Sequence, residues 1–295
     1  MGLCMRRVSD LFLPPDFLFP CLPFVRASDS SPDCKREPYA HHPPVFFDPQ
    51  AHLDRSIPLS TILTGLRRAC SDALTRFNLT TLLIPCFLRH LPVPSATSLW
   101  QNPDFQAAFA SGNANGQCVG IGLDSSEVGF PPALFKEIWA EASAKGIRRT
   151  MHAGEEGGPE NVEAAVFELG CERVDHGIRM ASDDALMARI AERKTLVTVC
   201  PLSNVELRCV KSVAEVPIKK FLEAGVRFSI NSDDPAYFGG FVLDNYCAVQ
   251  EAHGLGKEEW TRICENAIEG SWCGEERKEE MRGLLRECVK EFESK

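Results

Sequence analysis

Three short stretches place histidines and carboxylates in a pattern that suits metal and proton chemistry. His152 precedes Glu155 by three residues, His176 stands in a later stretch, and Asp233 is followed directly by Asp234. An imidazole nitrogen can bind a transition metal, and a carboxylic acid can move a proton during a reaction. A single H-x-x-E motif is more often a solvated turn, so the prediction depends on the three stretches forming one site.

Each stretch follows a run of residues whose pattern predicts a short strand. These runs are Ile147–His152, Arg173–His176 and Phe228–Asn231. Gly154 lets the backbone turn sharply after the first run, so that Glu155 can face the same side as the histidine. The strands must bring their C-terminal ends together if these side chains are to act at one site.

Predicted strands and helices alternate along the chain from Tyr39 onwards. The seven predicted strands are Val45–Phe47, Thr81–Phe87, Cys118–Leu123, Ile147–His152, Arg173–His176, Leu196–Cys200 and Phe228–Asn231. Several are apolar throughout, which is typical of parallel strands buried on both faces. Repeated strand–helix units indicate a doubly wound sheet or a (β/α)8 barrel. Chemistry at the ends of several strands favours the barrel, and seven strands are one short of closure.

The prediction is therefore an α/β protein with a TIM-type barrel that lacks its first strand. Residues 38–295 hold the barrel, with strands two to eight and their helices. Residues 1–37 are a separate tail, and we expect it to be disordered. Its apolar part, Leu11–Val25, is interrupted by Pro14, Pro15, Asp16, Pro20 and Pro23, so it suits neither a secretory signal nor a membrane span.

Composition limits the classes of function. The chain has 295 residues, 44% of them hydrophobic and 25% charged, with a net charge of −9 and no long basic run. The charge argues against a nucleic-acid partner and leaves a small-molecule site open. The 13 cysteines include no C-x-x-C motif, which fits a reducing compartment better than a disulfide scaffold. We expect a cytoplasmic or nuclear location and no membrane partner.

Four motifs, taken together and in order, carry a resemblance to a known family. They are His152-Ala-Gly-Glu155, Asp175-His176-Gly177, Cys200-Pro-Leu-Ser-Asn204 and Ser232-Asp-Asp-Pro235. The chain resembles the adenosine/adenine deaminase family of zinc enzymes over roughly residues 39–295. Longer stretches look most like its fungal adenine deaminase branch, namely Val45–His52, Cys86–His90, Gly122–Glu127 and Asn231–Gly240.

The resemblance implies a role for each candidate residue. His152 and Asp233 would be zinc ligands. Glu155 would protonate N1 of the purine ring, and His176 would hydrogen-bond the hydroxide that attacks C6. Asp234 would accept a hydrogen bond from the N7 side of the base. Since Asp233 and Asp234 are adjacent, they can face one site only where the strand has already ended.

The resemblance also implies a function, with two alternatives. The first expectation is zinc-dependent hydrolysis of adenine to hypoxanthine and ammonia, in purine salvage, with a small-molecule purine as partner. Adenosine is the alternative substrate. The second alternative is an inactive barrel that binds a purine or a partner protein. A different class of zinc deaminase, with a P-C-x-x-C signature, is excluded because the sequence has no C-x-x-C.

One feature of the family pattern is missing from the sequence. The family's first strand carries H-x-H, which supplies two more zinc ligands, and no such motif occurs here. His41 and His42 are adjacent, so on a strand they would point to opposite faces. His52 offers one ligand at most. We therefore expect an N-terminally truncated chain with weak zinc binding and doubtful activity, because a catalytic zinc normally has three protein ligands.

Other polar residues near strand ends have two open interpretations. Ser125 and Glu127 could touch the edge of the base or provide polar structure, and the second is favoured. Arg89 is interpreted as polar structure at a strand end. Cys200–Asn204 predicts a turn at the barrel mouth without direct chemistry, and Pro92 is placed in a loop.

Overall fold

The computed structural model describes residues 44–77, 79–110 and 116–293. The predicted tail at residues 1–37 and the pair His41 and His42 lie outside these ranges. The expectation that the first strand of the barrel is missing concerns the same undescribed segment and stays a prediction. No helix within the described ranges has both the length and the apolar character that crossing a membrane requires.

The described residues form eight short strands that all pair in parallel. They are β1 (Pro44–Phe47), β2 (Leu82–Leu88), β3 (Gly120–Asp124), β4 (Arg148–Arg149), β5 (His152–Ala153), β6 (Arg173–His176), β7 (Leu196–Val199) and β8 (Arg227–Ile230). The strand order is β1-β2-β3-β4 in one sheet and β5-β6-β7-β8 in the other.

One extended segment joins the two sheets. β4 pairs with β3, and β5 pairs with β6. Between them, the Thr150 amide donates to the Ile121 carbonyl at 2.9 Å, and the Met151 carbonyl accepts from the Asp175 amide at 2.8 Å. β4 and β5 are thus two halves of the single predicted strand Ile147–His152. The seven predicted strands are confirmed, and β1 and β8 are the end strands in the described part of the chain.

Helices connect the strands. The α-helices are α1 (Pro49–Leu53), α2 (Leu59–Phe77), α3 (Val93–Trp100), α4 (Pro103–Ala107), α5 (Lys136–Ala144), α6 (Pro159–Glu163), α7 (Asp184–Arg193), α8 (Pro201–Glu206), α9 (Ile218–Ala224), α10 (Pro235–Phe238), α11 (Val242–His253), α12 (Lys257–Gly270) and α13 (Glu275–Glu293). A π-helical turn at Ala164–Glu168 extends α6, and a 3₁₀ turn at Pro132–Phe135 precedes α5.

The apolar core has two layers, one on each face of the strands. On β2, Leu83 and Phe87 face the helices, and Phe87 packs against Trp139 of α5 with ring centroids 6.0 Å apart. The alternating residues Ile84 and Cys86 face the barrel interior. Both layers are buried, so the strands hold their ends in fixed positions around the barrel mouth.

Two helices begin directly after prolines or cysteines that follow strands. Pro92 lies in the predicted loop, as the N-cap residue of α3. The turn predicted at Cys200–Asn204 is wrong, because Cys200 is the N-cap residue of α8 and the next residues are helical. Pro94 and Pro201 lie in the first turns of these helices. Proline fits there because the first helical amides have no intrahelical partner to lose. A proline after a strand can therefore mark a helix start as well as a break.

Candidate active site

The candidate residues meet at the carboxyl ends of three strands. β5 pairs His152 with Asp175 and Ala153 with His176, so β5 and β6 deliver their side chains at the same level. The imidazole rings of His152 and His176 lie 4.8 Å apart, measured between centroids. Asp233 comes just after the end of β8, beyond the strand's alternation.

Left-handed backbone at two of these residues aims their side chains. His176 has φ +65° and Asp233 has φ +56°, a left-handed conformation that residues other than glycine seldom adopt. Gly154, with φ +76°, provides the sharp turn predicted before Glu155. A Cβ at Gly154 would lie 2.6 Å from Cγ2 of Val162, so this position also requires glycine for space.

Glu155 and His176 form a buried pair. Oε1 of Glu155 lies 3.2 Å from Nδ1 of His176, and both side chains are nearly inaccessible to solvent. Nδ2 of Asn204 donates to the same Oε1 at 3.1 Å and lies 3.2 Å from Nδ1 of His176. A carboxyl group and an imidazole in contact, away from bulk water, are suited to proton transfer.

The charge state of His176 depends on its neighbours. Burial alone would lower the pKa of His176, because it disfavours the charged imidazolium. The negative charges of Glu155, Asp233 and Asp175 outweigh burial and raise the pKa above its ordinary value. A metal dication in the same space would oppose this effect.

His152 and Asp233 are suited to hold a metal ion. Nδ1 of His152 is buried and has no hydrogen-bond partner among the described residues, with Oδ2 of Asp175 at 3.9 Å. Oδ2 of Asp233 accepts from the Ser203 hydroxyl at 2.6 Å and lies 3.8 Å from Nε2 of His176. Imidazole nitrogen and carboxylate oxygen are both zinc ligand types. The donor chemistry therefore fits the expected ion.

Asp234 lies at the exposed rim of the same site. It caps α10 at its N-terminus, next to Asp233. Partial burial of its carboxyl group and the nearby charges of Asp233 and Asp48 raise the pKa of Asp234, and His152 opposes this effect. β8 has ended before Asp233, as the prediction for two adjacent aspartates at one site requires.

A buried carboxylate, Asp175, connects the strands below the site. Its oxygens accept from the hydroxyl groups of Thr150 at 2.6 Å and Thr198 at 2.7 Å. Nε of Arg173 lies 3.5 Å away. These contacts join β6 to β7 and to the segment between β4 and β5. Asp175 therefore fixes the position of β5, which carries His152, relative to β6 and β7.

Glu127 holds the loop that carries Glu155. Its carboxylate accepts from the backbone amides of Gly154 at 3.0 Å and Glu155 at 2.8 Å, and from Nδ2 of Asn161 at 2.7 Å. Burial would raise the pKa of Glu127, but these hydrogen bonds and the charge of Arg89 outweigh it and lower the pKa. Both carboxylate oxygens accept hydrogen bonds from the protein, which agrees with the prediction that Glu127 has a structural role rather than contacting the base.

Glu127→Gln is expected to destabilise the fold by about 1–3 kcal/mol at neutral pH, since the amide cannot accept at both positions from three or more donors. The pKa of Glu127 is lower in the folded state than in the unfolded state. The carboxylate therefore stabilises the fold above the unfolded pKa, and this contribution is lost as the pH falls through the folded pKa.

Urea unfolding of parent and variant from neutral to acidic pH measures this effect. The difference in unfolding free energy should be largest near neutrality and shrink as the pH falls. Glu160→Gln, at an exposed position in α6, is the matched control and should show neither effect. A constant difference at every pH would rule out the charged hydrogen-bond network as the source of stability.

Comparison with known proteins places this geometry in a family. A model of the adenosine deaminase family matches residues 35–288, most of the chain. The chain belongs to the adenosine deaminase family. The resemblance expected from the four motifs is thereby confirmed.

Relatives in the family share both sequence and fold. The adenine deaminase of Aspergillus oryzae is 55% identical over 241 residues, which are 82% of this chain and 67% of that protein. The structure of adenine deaminase from Arthrobacter aurescens is 37% identical with a TM-score of 0.78, covering 85% of this chain and 74% of that chain. A zinc-bound amidohydrolase from Burkholderia ambifaria is 29% identical with a TM-score of 0.75, covering 86% and 69%. The α/β barrel class is confirmed.

The structure brings four of the five predicted deaminase residues into contact or near contact. His152, Glu155 and Asp233 each lie close to His176, and Asp234 directly follows Asp233 at an exposed position. Their chemical roles stay predictions. The sequence contains no H-x-H motif to complete the family's ligand set.

Three residues at the site were missed by the sequence reasoning. Ser203 and Asn204 belong to the motif that was interpreted as a turn, and their side chains contact Asp233 and the Glu155–His176 pair. Asp175 was treated as part of a motif without a role of its own. All three are polar residues, whose type does not indicate burial in a sequence. In the structure Ser203 and Asn204 are fully buried, and Asp175 is nearly so.

Proposed function

We propose that the chain is a zinc-dependent aminohydrolase that converts adenine and water into hypoxanthine and ammonia, a reaction of purine salvage. The observation that carries the proposal is the buried pair of Glu155 and His176 beside the metal donors His152 and Asp233. The adenine deaminases of A. oryzae and A. aurescens support adenine as the substrate.

His152 and Asp233 would hold the zinc ion in this chain. A bound zinc ion makes water a competent nucleophile at neutral pH. Ser203 donates to Asp233 at 2.6 Å and so fixes the orientation of that carboxylate before any ion binds. The zinc-bound relative from B. ambifaria supports zinc as the metal.

The remaining side chains act on the base and on the attacking water. Glu155 gives a proton to N1 of the purine, which neutralises the charge that attack at C6 places on the ring. His176 orients the attacking water, since its Nε2 faces Asp233 at 3.8 Å and its Nδ1 is held by Glu155. Asp234 contacts the N7 side of the base from the rim.

We expect the zinc-loaded chain to prefer adenine over adenosine by at least about tenfold in kcat/KM, equivalent to about 1.4 kcal/mol. The reason is that the sequences of Asp124–Glu127 and Ala236–Gly240 resemble those of the fungal adenine deaminase branch, which acts on the free base. Steady-state kinetics on both substrates, with ammonia release and chromatography of the products, measure this preference.

The same assay separates the alternatives. Equal efficiency, or a preference for adenosine, would overturn the assignment of adenine. A folded chain that binds adenine by calorimetry but neither retains zinc nor releases ammonia would support a binding protein instead. Zinc content per chain is measured in parallel, so that missing metal is not mistaken for missing chemistry.

A further inference from the structure

Asn204 contacts both members of the buried pair. It lies in the first turn of α8, which follows β7, and its side chain is fully buried. Its Nδ2 donates to Oε1 of Glu155 at 3.1 Å and lies 3.2 Å from Nδ1 of His176. Glu155 follows β5, His176 ends β6 and Asn204 lies in the helix after β7, and the three side chains contact one another.

The helix that carries Asn204 is held by other groups. The Leu202 amide donates to Oδ1 of Asn245 at 3.0 Å, and the Asn204 carbonyl accepts from the Cys209 amide at 2.9 Å. The side-chain amide of Asn204 is therefore not needed to anchor α8. Its contacts within α8 are made by the backbone, and its side-chain contacts are directed to the candidate site.

The amide can serve both forms of the Glu155 carboxyl group. As described, Nδ2 donates to the carboxylate, and Oδ1 is buried without a hydrogen-bond partner among the described residues. A half-turn of the amide would exchange the two atoms and present Oδ1 to Glu155. A protonated carboxyl group could then donate to Oδ1. An alanine or a leucine at this position could do neither.

We propose that Asn204 is a positioning residue that holds the Glu155 carboxyl and the His176 imidazole in a fixed mutual arrangement. This role rests on the proposed function, because the pair is assigned there to protonate the base and to orient water. Fixed orientation of catalytic groups lowers the barrier without adding contacts to the substrate. Loss of Asn204 should therefore affect the chemical step more than substrate binding.

Asn204→Ala in the zinc-loaded full chain tests the role. We expect kcat for adenine to fall by about 10–100-fold, the range typical of outer-shell partners, with little change in KM or zinc content. The matched control is Asn266→Ala in α12, because Asn266 is also buried and its Nδ2 has no partner among the described residues. That variant should keep the parent kcat.

A double-mutant cycle distinguishes positioning from general destabilisation. In a Glu155→Gln background, Asn204→Ala should have a much smaller effect on kcat, because the group that it positions has already lost its function. An equal loss in both backgrounds, or an unchanged kcat in the single variant, would overturn the proposal. If Asn204→Ala loses its cooperative thermal transition, Asn204→Leu is used with the same criteria, since it keeps the number of side-chain heavy atoms but has neither a donor nor an acceptor.

A readout that does not need turnover keeps the two proposals separate. The ¹⁵N chemical shifts of the His176 ring report its tautomer and hydrogen bonding. They should change in Asn204→Ala and stay constant in Asn266→Ala. If the His176 shifts change in Asn204→Ala but the parent chain does not deaminate adenine, the proposed function is refuted and the positioning role of Asn204 is still supported. Unchanged His176 shifts would refute the positioning role even in an active enzyme.

Discussion

Glu155→Gln is expected to lower kcat for adenine by about 10²–10⁴-fold, the usual contribution of general acid catalysis. The amide keeps the shape of the side chain but has no acidic proton for N1 of the base. His152 and Asp233 are unchanged in this variant, so the zinc content per chain should equal that of the parent. Steady-state kinetics and metal analysis on the same samples measure both quantities.

The adjacent carboxylate provides a matched control. Glu156 is exposed and contacts the Ser126 hydroxyl at 2.7 Å rather than the pair. Glu156→Gln should therefore retain a turnover close to that of the parent. Near-normal turnover in Glu155→Gln would remove Glu155 from the mechanism. A loss of zinc in that variant would indicate that its effect is structural.

Asp233→Ala is expected to abolish both zinc binding and deamination, because it removes one of the two residues that are proposed as zinc ligands. The loss should appear as a zinc content near zero after dialysis against a weak chelator, with the barrel still folded by circular dichroism. Thermal unfolding without added metal should change little, since Asp233 lies outside the strands.

Asp234→Ala is the matched control that shows whether zinc loss is specific to Asp233. Asp234 has the same side chain one residue further on, at the rim of the site. It should keep its zinc and show a higher KM for adenine, because its proposed contact is with the base. Equal zinc loss in both variants would contradict the division of roles between the two aspartates.

The strands could be predicted because their signal is local. Runs such as Leu196–Val199 are apolar at nearly every position, and such runs are typical of buried parallel strands. The helix starts were harder. Several helices begin with proline in their first turn, among them α3 and α8, whose first residues the sequence analysis assigns to a loop and to a turn. In this chain proline marks helix entry at the barrel mouth.

The predicted site residues share a simple signal, since histidine and carboxylates at strand ends suggest chemistry by their type alone. Asn204 and Ser203 carry no such signal. Their roles depend on partners far away in sequence, with Asn204 separated from Glu155 by 49 positions and from His176 by 28. Pairings of that kind are set by strand register and helix packing, which one sequence does not reveal.

The left-handed backbone at His176 and Asp233 has a consequence for protein engineering. Each non-glycine residue held in that conformation costs roughly 1 kcal/mol of folding stability relative to a relaxed backbone. Glycine adopts this conformation without steric cost, so replacing either residue by glycine would relieve the strain. In this chain, that route to heat resistance would remove the very side chains that are aimed at the site, so gains in melting temperature there would come with inactivity.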